Sequence, residues 1–259
     1  MPLFEDNDEQ RLFRQEFRKF CIREITPNVE AWERDRAVPR GLWKKMGEQG
    51  YLCPWLPEAY GGLDLDFSYS VIIGEELIRA DGFGVGVPLH SDVAVPYIFS
   101  YGSEEGKGFK YMMAKLARER LEVCVKCQAM AEECLKEALT YAKVREAFGR
   151  TIGSFQHNAF KLAEMATEVD IGRTYLNTLS AEYIRGDDIT TRVSMAKAWL
   201  GEMVNRVAYQ AVQLHGGYGY MEEYRISRLF RDARSLSIFA GTTEIMKLII
   251  ARRLGLGPV

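Results

Sequence analysis

Apolar residues recur along almost the whole chain at spacings of three to five, the period of helices that bury one face. Over residues 7–25 the stripe is Phe13, Phe17, Phe20 and Ile25. Pro27 either begins a new helical turn or breaks the old one. Pro39 opens a short helix through Gln49, closed by Gly50. Residues 53–62, with two prolines and the pair Gly61-Gly62, are loop. Helices follow over 67–80 and 90–101. Between them, Gly82-Phe-Gly-Val-Gly86 lacks the spacing and the preceding strand of a dinucleotide-binding turn, and reads as an inter-helix loop. Longer helices are predicted over 107–144, 154–185 and 188–214, then shorter ones over 222–234 and 242–254. Long helices with short connections make an antiparallel bundle, and no alternating run flanked by hairpin turns suggests a strand.

The fold expected is therefore all-α: an amino-terminal helical domain over 1–105 and a carboxy-terminal bundle of long helices, of four-helix type, over 106–259. The boundary falls at the polar stretch Ser103-Glu-Glu-Gly106. Composition fits a globular chain of 259 residues with 47% apolar content. Its 34 basic and 36 acidic residues, with no basic block, point away from nucleic acid. The acidic amino terminus is unlike a signal or transit peptide, and no apolar run approaches the ~20 residues that span a bilayer. The expectation is a soluble, cytoplasmic protein.

Five cysteines fit that compartment. Cys124 and Cys127 have the CxxC spacing, but they sit inside a helical pattern with no second pair, so they read as small buried thiols. His90, His157 and His215 are isolated and give no metal-ligand spacing.

The first long helix carries the sharpest chemical clue. Met112, Leu116, Val123, Cys127, Met130 and Cys134 define one apolar face, and Glu119 falls in line with them. A carboxylate on such a stripe is either paired with a buried cation, such as Arg120 or another bundle arginine, or has a raised pKa and works as a base. Arg118, Glu122, Lys126, Glu133 and Lys136 lie on another face, expected to be solvated. Three further places suit a ligand. Arg145, before a turn at Gly149, can pair with a phosphate or answer the helix dipole, and Phe148 can stack on a flat ring. Gly216-Gly217 at a helix end is a plain cap or a point of close backbone approach. Thr242 is an N-cap or an anion site.

Taken in order, these motifs resemble the acyl-CoA dehydrogenases. Leu56-Pro-Glu-Ala-Tyr-Gly-Gly62, Gly74-Glu-Glu-Leu77 and Tyr101-Gly-Ser-Glu-Glu105 are similar to the family's amino-terminal helical domain. Gly108-Phe109, Glu119-Arg-Leu121, Arg145-Glu-Ala-Phe-Gly149, Gln156, Gln213-Leu-His-Gly-Gly-Tyr-Gly219 and Gly241-Thr-Thr-Glu-Ile245 follow as in its carboxy-terminal domain. The resemblance implies a homo-oligomer, dimer or tetramer, that holds FAD across a subunit interface. It places Arg145, Phe148 and Gln156 at the pyrophosphate and adenosine part, and Gln213, Leu214, His215, Gly216, Gly217, Thr242 and Glu244 at further flavin contacts. The family's base stands either just before the last motif, where this chain has Ala240, or in the ERL motif of isovaleryl- and long-chain-type members, where it has Glu119. The implied reaction is α,β-dehydrogenation of an acyl-CoA in fatty acid metabolism. Glu119 takes the α-proton, the flavin takes a hydride, and electron-transfer flavoprotein is the partner.

Relatives carry a β-domain between the two helical domains, and here Glu105 runs straight into Gly106. The expectation is an engineered chain with the β-domain deleted and with weakened dehydrogenation. The alternative is an engineered helical scaffold of the same descent that folds without catalysing. Glu122 and Lys126 read as charges placed to cover the face so exposed.

Overall fold

A computed structural model describes residues 6–102 and 108–257, without the side chains of 108–114. The expected domain boundary at 103–106 and Met112 of the apolar stripe lie outside that description. Ten helices are described: α1 (Asp8–Phe20), α2 (Val29–Asp35), α3 (Arg40–Glu48), α4 (Phe67–Arg79), α5 (Val95–Tyr101), α6 (Gly108–Val144), α7 (Gln156–Ile184), α8 (Thr190–His215), α9 (Arg225–Leu236) and α10 (Thr243–Arg253). Among the described residues the only strands are β1 (Glu146–Ala147) and β2 (Arg150–Thr151), so the fold is all-α with no β-domain. No helix among them is long and apolar enough to cross a membrane.

The chain divides into two compact units, Met1–Val125 with Leu179–Ile189 and Lys126–Thr178 with Thr190–Val259. The first is built on the stripe seen in the sequence. Phe17, Phe20 and Ile25 pack with Met46, Tyr51, Ile73 and Leu77. The α1 helix starts at a capping box in which Asn7 and Gln10 exchange backbone and side-chain hydrogen bonds. Pro27 does both things open to it: Thr26–Asn28 tightens into a 3-10 turn and α2, not expected from the sequence, begins at Val29. The Gly74-Glu-Glu-Leu77 motif places Glu75 and Glu76 almost wholly out of solvent, where Arg14, Arg18 and Arg79 meet them. Burial pushes the Glu76 carboxyl up, but the hydrogen bond from Arg18 and the charges of Arg79 and Arg18 outweigh it and hold it below the usual range.

In the second unit α8 packs against α9 and α10. Its buried face runs Val193, Ala196, Leu200, Val204, Val207 and Ala211. Buried positions on α6 in this unit include the small residues Cys127, Ala131, Cys134, Ala138 and Ala142. All five cysteines are free and buried, as the bland reading of the CxxC pair required, and burial pushes the Cys127 thiol up to about 12. At Gly172 a Cβ would stand 2.4 Å from Gln128 Oε1, so glycine is what allows the Gln128 amide to donate to the Val169 carbonyl.

The charged face of α6 is not solvated as expected. Glu122 and Glu133 are buried, Lys126 is half-buried, and only Lys136 stands mostly in water. The reason is that α6 is covered on nearly every side between Arg120 and Ala131. A helix in that position must pair its charges instead of hydrating them. Glu133, for instance, accepts from Arg225 of α9.

Candidate functional site

Glu119 belongs to the first unit. It is half-buried on α6, one residue after Arg118 and one before the buried Arg120. Burial pushes its carboxyl above the usual range, and the charge of Arg120 pulls only part of the way back. Tyr97 of α5 is in the same electrostatic neighbourhood, its hydroxyl also raised by burial and then by Glu119. Arg118 is fixed separately. It donates to Asp92 at 2.6 Å, beside Ser70, and its guanidinium lies 4.7 Å from the centre of the Trp55 ring.

The remaining predicted residues belong to the second unit. Arg145 follows α6 and leads into the β1–β2 hairpin, closed by the Ile152 amide on the Arg145 carbonyl at 2.7 Å. The two turn residues, Phe148 and Gly149, both have positive φ, +52° and +78°, the geometry of a tight hairpin turn. Phe148 thus accepts a backbone conformation that costs a non-glycine residue about 1 kcal/mol. Its ring is 96% exposed. No strand signal was readable here because two-residue strands cannot alternate. Gln156 opens α7 and is exposed.

Gln213 to Gly217 end α8 and enter a 3-10 turn, Gly216–Tyr220. Gln213 is exposed and Leu214 half-buried. His215 is buried, its Nδ1 is 2.7 Å from the Ala211 carbonyl, and its ring stacks on Tyr141 of α6 at 4.1 Å. Gly216 has φ +61°, and a Cβ at Gly216 or Gly217 would meet nothing within 4 Å. The backbone there is an open cradle, not a packing requirement. Arg145 joins this turn, its guanidinium 5.5 Å from the Tyr218 ring.

Thr242 caps α10, its hydroxyl oxygen accepting from the Ile245 amide at 3.4 Å. Glu244, in the first turn, is exposed, and its own backbone amide and the Thr242 hydroxyl hold its carboxyl below the usual range. Both border an open groove of about 550 Å³ shared with Glu202, Asn205, Tyr209 and Arg234. The predicted residues of this unit thus form two clusters. Thr243 donates to Glu202 at 2.6 Å, and Glu202 precedes His215 by 13 residues on α8, roughly 20 Å along its axis.

Sequence reasoning missed Lys197. It lies on the apolar face of α8, is 0% exposed, and donates from Nζ to the Gly241 carbonyl at 2.6 Å. The signal was available: a cation in line with Val193, Leu200 and Val204 is as unusual as a carboxylate in line with Leu116 and Val123. Tyr141 and Asp92 gave no such signal, since aromatic and capping roles are common for both. Among the described residues no His, Cys, Asp and Glu cluster is placed to hold a metal.

The family model for the acyl-CoA dehydrogenase C-terminal domain matches residues 106–255, and that for the N-terminal domain matches 7–120. The chain belongs to the acyl-CoA dehydrogenase family. It is 27% identical to the long-chain specific acyl-CoA dehydrogenase, mitochondrial, of Sus scrofa over 373 residues, covering 96% of this chain and 87% of that one. Since 96% of 259 residues is about 249, about 124 of those aligned positions fall opposite gaps in this chain. The crystal structure of an acyl-CoA dehydrogenase from Geobacillus kaustophilus is 34% identical, with a TM-score of 0.94, covering 97% of this chain and 99% of that one. A probable acyl-CoA dehydrogenase of Bacillus subtilis, YngJ, is 40% identical over 168 residues, 64% of this chain and 43% of that one. For this acyl-CoA dehydrogenase family member, the all-α expectation and the family reading both hold.

Proposed function

We propose that this chain is a flavoprotein that dehydrogenates an acyl-CoA thioester between its α and β carbons, with Glu119 as the base. What carries the reading is the position of Glu119. It stands in the ERL motif, half-buried, with its carboxyl pushed up by burial, while Ala240 leaves the family's other base position empty of any carboxylate. A base of raised pKa removes a weakly acidic proton more effectively near neutrality than an ordinary carboxylate does. The thioester carbonyl acidifies the α-proton, Glu119 takes it, and the residue becomes a neutral acid.

FAD, when bound, supplies the acceptor for the two electrons and the hydrogen that leave the β carbon. The residues present fit such a group. An exposed aromatic ring is held outward at Phe148 against backbone cost, Arg145 stands beside Tyr218 as an anion partner, and the backbone at Gly216 and Gly217 is open to close approach. Gln156, Gln213, Leu214 and His215 accompany that cluster, and Thr242 and Glu244 border the groove. Two stations roughly 20 Å apart along α8 suit a homo-oligomer in which neighbouring copies each complete one flavin site.

The domain division at 105/106, the cytoplasmic location, the role in fatty acid metabolism and electron-transfer flavoprotein as partner belong to the same proposal. So does the origin of the chain as an engineered, β-domain-deleted member with weakened turnover. The gap of about 124 positions against the Sus scrofa enzyme supports the missing segment in that reading. The same gap favours a second reading, a folded helical scaffold without catalysis. Titration of the purified protein with FAD separates them. A shifted, quenched flavin spectrum at micromolar FAD is expected; its absence favours the scaffold.

A further inference from the structure

A lysine with no solvent exposure is an expensive residue, because an ammonium gives up its hydration on burial. Lys197 is buried among Val193, Ala196, Leu200 and Val204 on α8, and its Nζ reaches the Gly241 carbonyl at 2.6 Å. That carbonyl belongs to an irregular turn. Ala240 and Gly241 both have positive φ, +56° and +102°, and a Cβ on Gly241 would collide with Met246 Cε at 2.6 Å. Two residues later Thr243 is tied to the same helix, its hydroxyl donating to Glu202 at 2.6 Å. The turn is therefore fastened to α8 at two points five residues apart. Thr242 lies between the fastenings and Glu244 just beyond them, both at the lip of the groove.

We propose that Lys197, with the Thr243–Glu202 bond as a second tether, is a positioning residue for the flavin site: it sets the turn that presents Thr242 and Glu244. The claim rests on the flavin reading given above, since it is FAD that the turn is positioned to meet. Lys197 does not touch the ligand; it acts through the Gly241 carbonyl. A purely structural lysine at this place predicts something different. Methionine has nearly the length of lysine but lacks the charge and leaves the Gly241 carbonyl without its donor, so a lysine that serves the core alone gives up stability on Lys197→Met while the folded protein binds FAD unchanged. A positioning lysine loses FAD affinity in the folded protein on the same change.

The test compares wild type with Lys197→Met by fluorescence titration with FAD, thermal melting without FAD, and amide hydrogen exchange over 241–246. Expected are a flavin dissociation constant raised about tenfold or more at a temperature where both proteins are folded, and faster exchange in that segment. Equal affinity in the two proteins overturns the proposal. If wild type itself binds no FAD, the flavin reading falls, and exchange alone decides about Lys197: faster exchange upholds it as the anchor of the turn, and unchanged exchange removes it. Should Lys197→Met not fold, Thr243→Val cuts the second tether and keeps the lysine. Weaker FAD binding by that variant supports the two-point fastening, and unchanged binding overturns it.

Discussion

The guanidinium of Arg118 lies 2.6 Å from the carboxylate of Asp92, and neither side chain is more than 12% exposed. The pair ties α6 to the segment ahead of α5 one residue before Glu119, with Trp55 covering the cation. Removing one partner leaves a buried charge without compensation, which costs far more than the pair contributes. Asp92→Ala should therefore lower the free energy of unfolding by about 3–5 kcal/mol in urea denaturation. Arg118→Met combined with Asp92→Leu should recover most of that loss, because the stranded cation is gone. A double variant as unstable as Asp92→Ala would contradict this account.

Glu119 gives a pH dependence whose sign is fixed by burial. Its folded carboxyl titrates above the usual glutamate range, so between the two values the folded chain holds a proton that the unfolded chain has released. Stability from this group is full below that window and is lost as pH rises through it. From acid toward neutral pH the denaturant midpoint of wild type should drop relative to that of Glu119→Gln. Identical profiles would show that the carboxyl is not perturbed.

Phe148 sets stability against ligand binding. Its φ of +52° is a conformation that glycine adopts without cost, and its ring is 96% exposed, so the folded chain gains little from the side chain. Phe148→Gly should leave the free energy of unfolding within about 1 kcal/mol of wild type, the strain relief offsetting the added freedom of the unfolded chain. FAD affinity should nevertheless fall about tenfold, as expected when a stacking ring is lost. A variant that melts alike and binds alike would take Phe148 out of the site.

Gly172→Ala should destabilise by about 1–3 kcal/mol, since the new methyl would stand 2.4 Å from Gln128 Oε1 and force apart two packed helices. Pairing it with Gln128→Ala makes room, and a double-mutant cycle should show strong coupling. Additive losses would place the clash elsewhere.

The helices were legible in the sequence because their apolar faces are long: the stripes of α1, α6 and α8 repeat through several turns, and their ends fall within a few residues of where periodicity stops. The α2 helix was not, because its seven residues follow a proline that the sequence allows to act in either sense. The β1–β2 hairpin was invisible for a similar reason, being too short to alternate. Glu119 stood out as a charge in an apolar register, and the same test applied to cations would have found Lys197. The error about Glu122 and Glu133 has a different source. Periodicity tells which residues share a face, but not which neighbouring helix will cover it.

The most direct test of the central claim is anaerobic addition of an acyl-CoA to the FAD-loaded protein and to FAD-loaded Glu119→Gln, followed by visible absorbance. Wild type should bleach as the flavin is reduced, while the variant, with the flavin bound as tightly, should keep its colour. Wild type that stays coloured, or a variant that bleaches as fast, would contradict the assignment of Glu119 as the base.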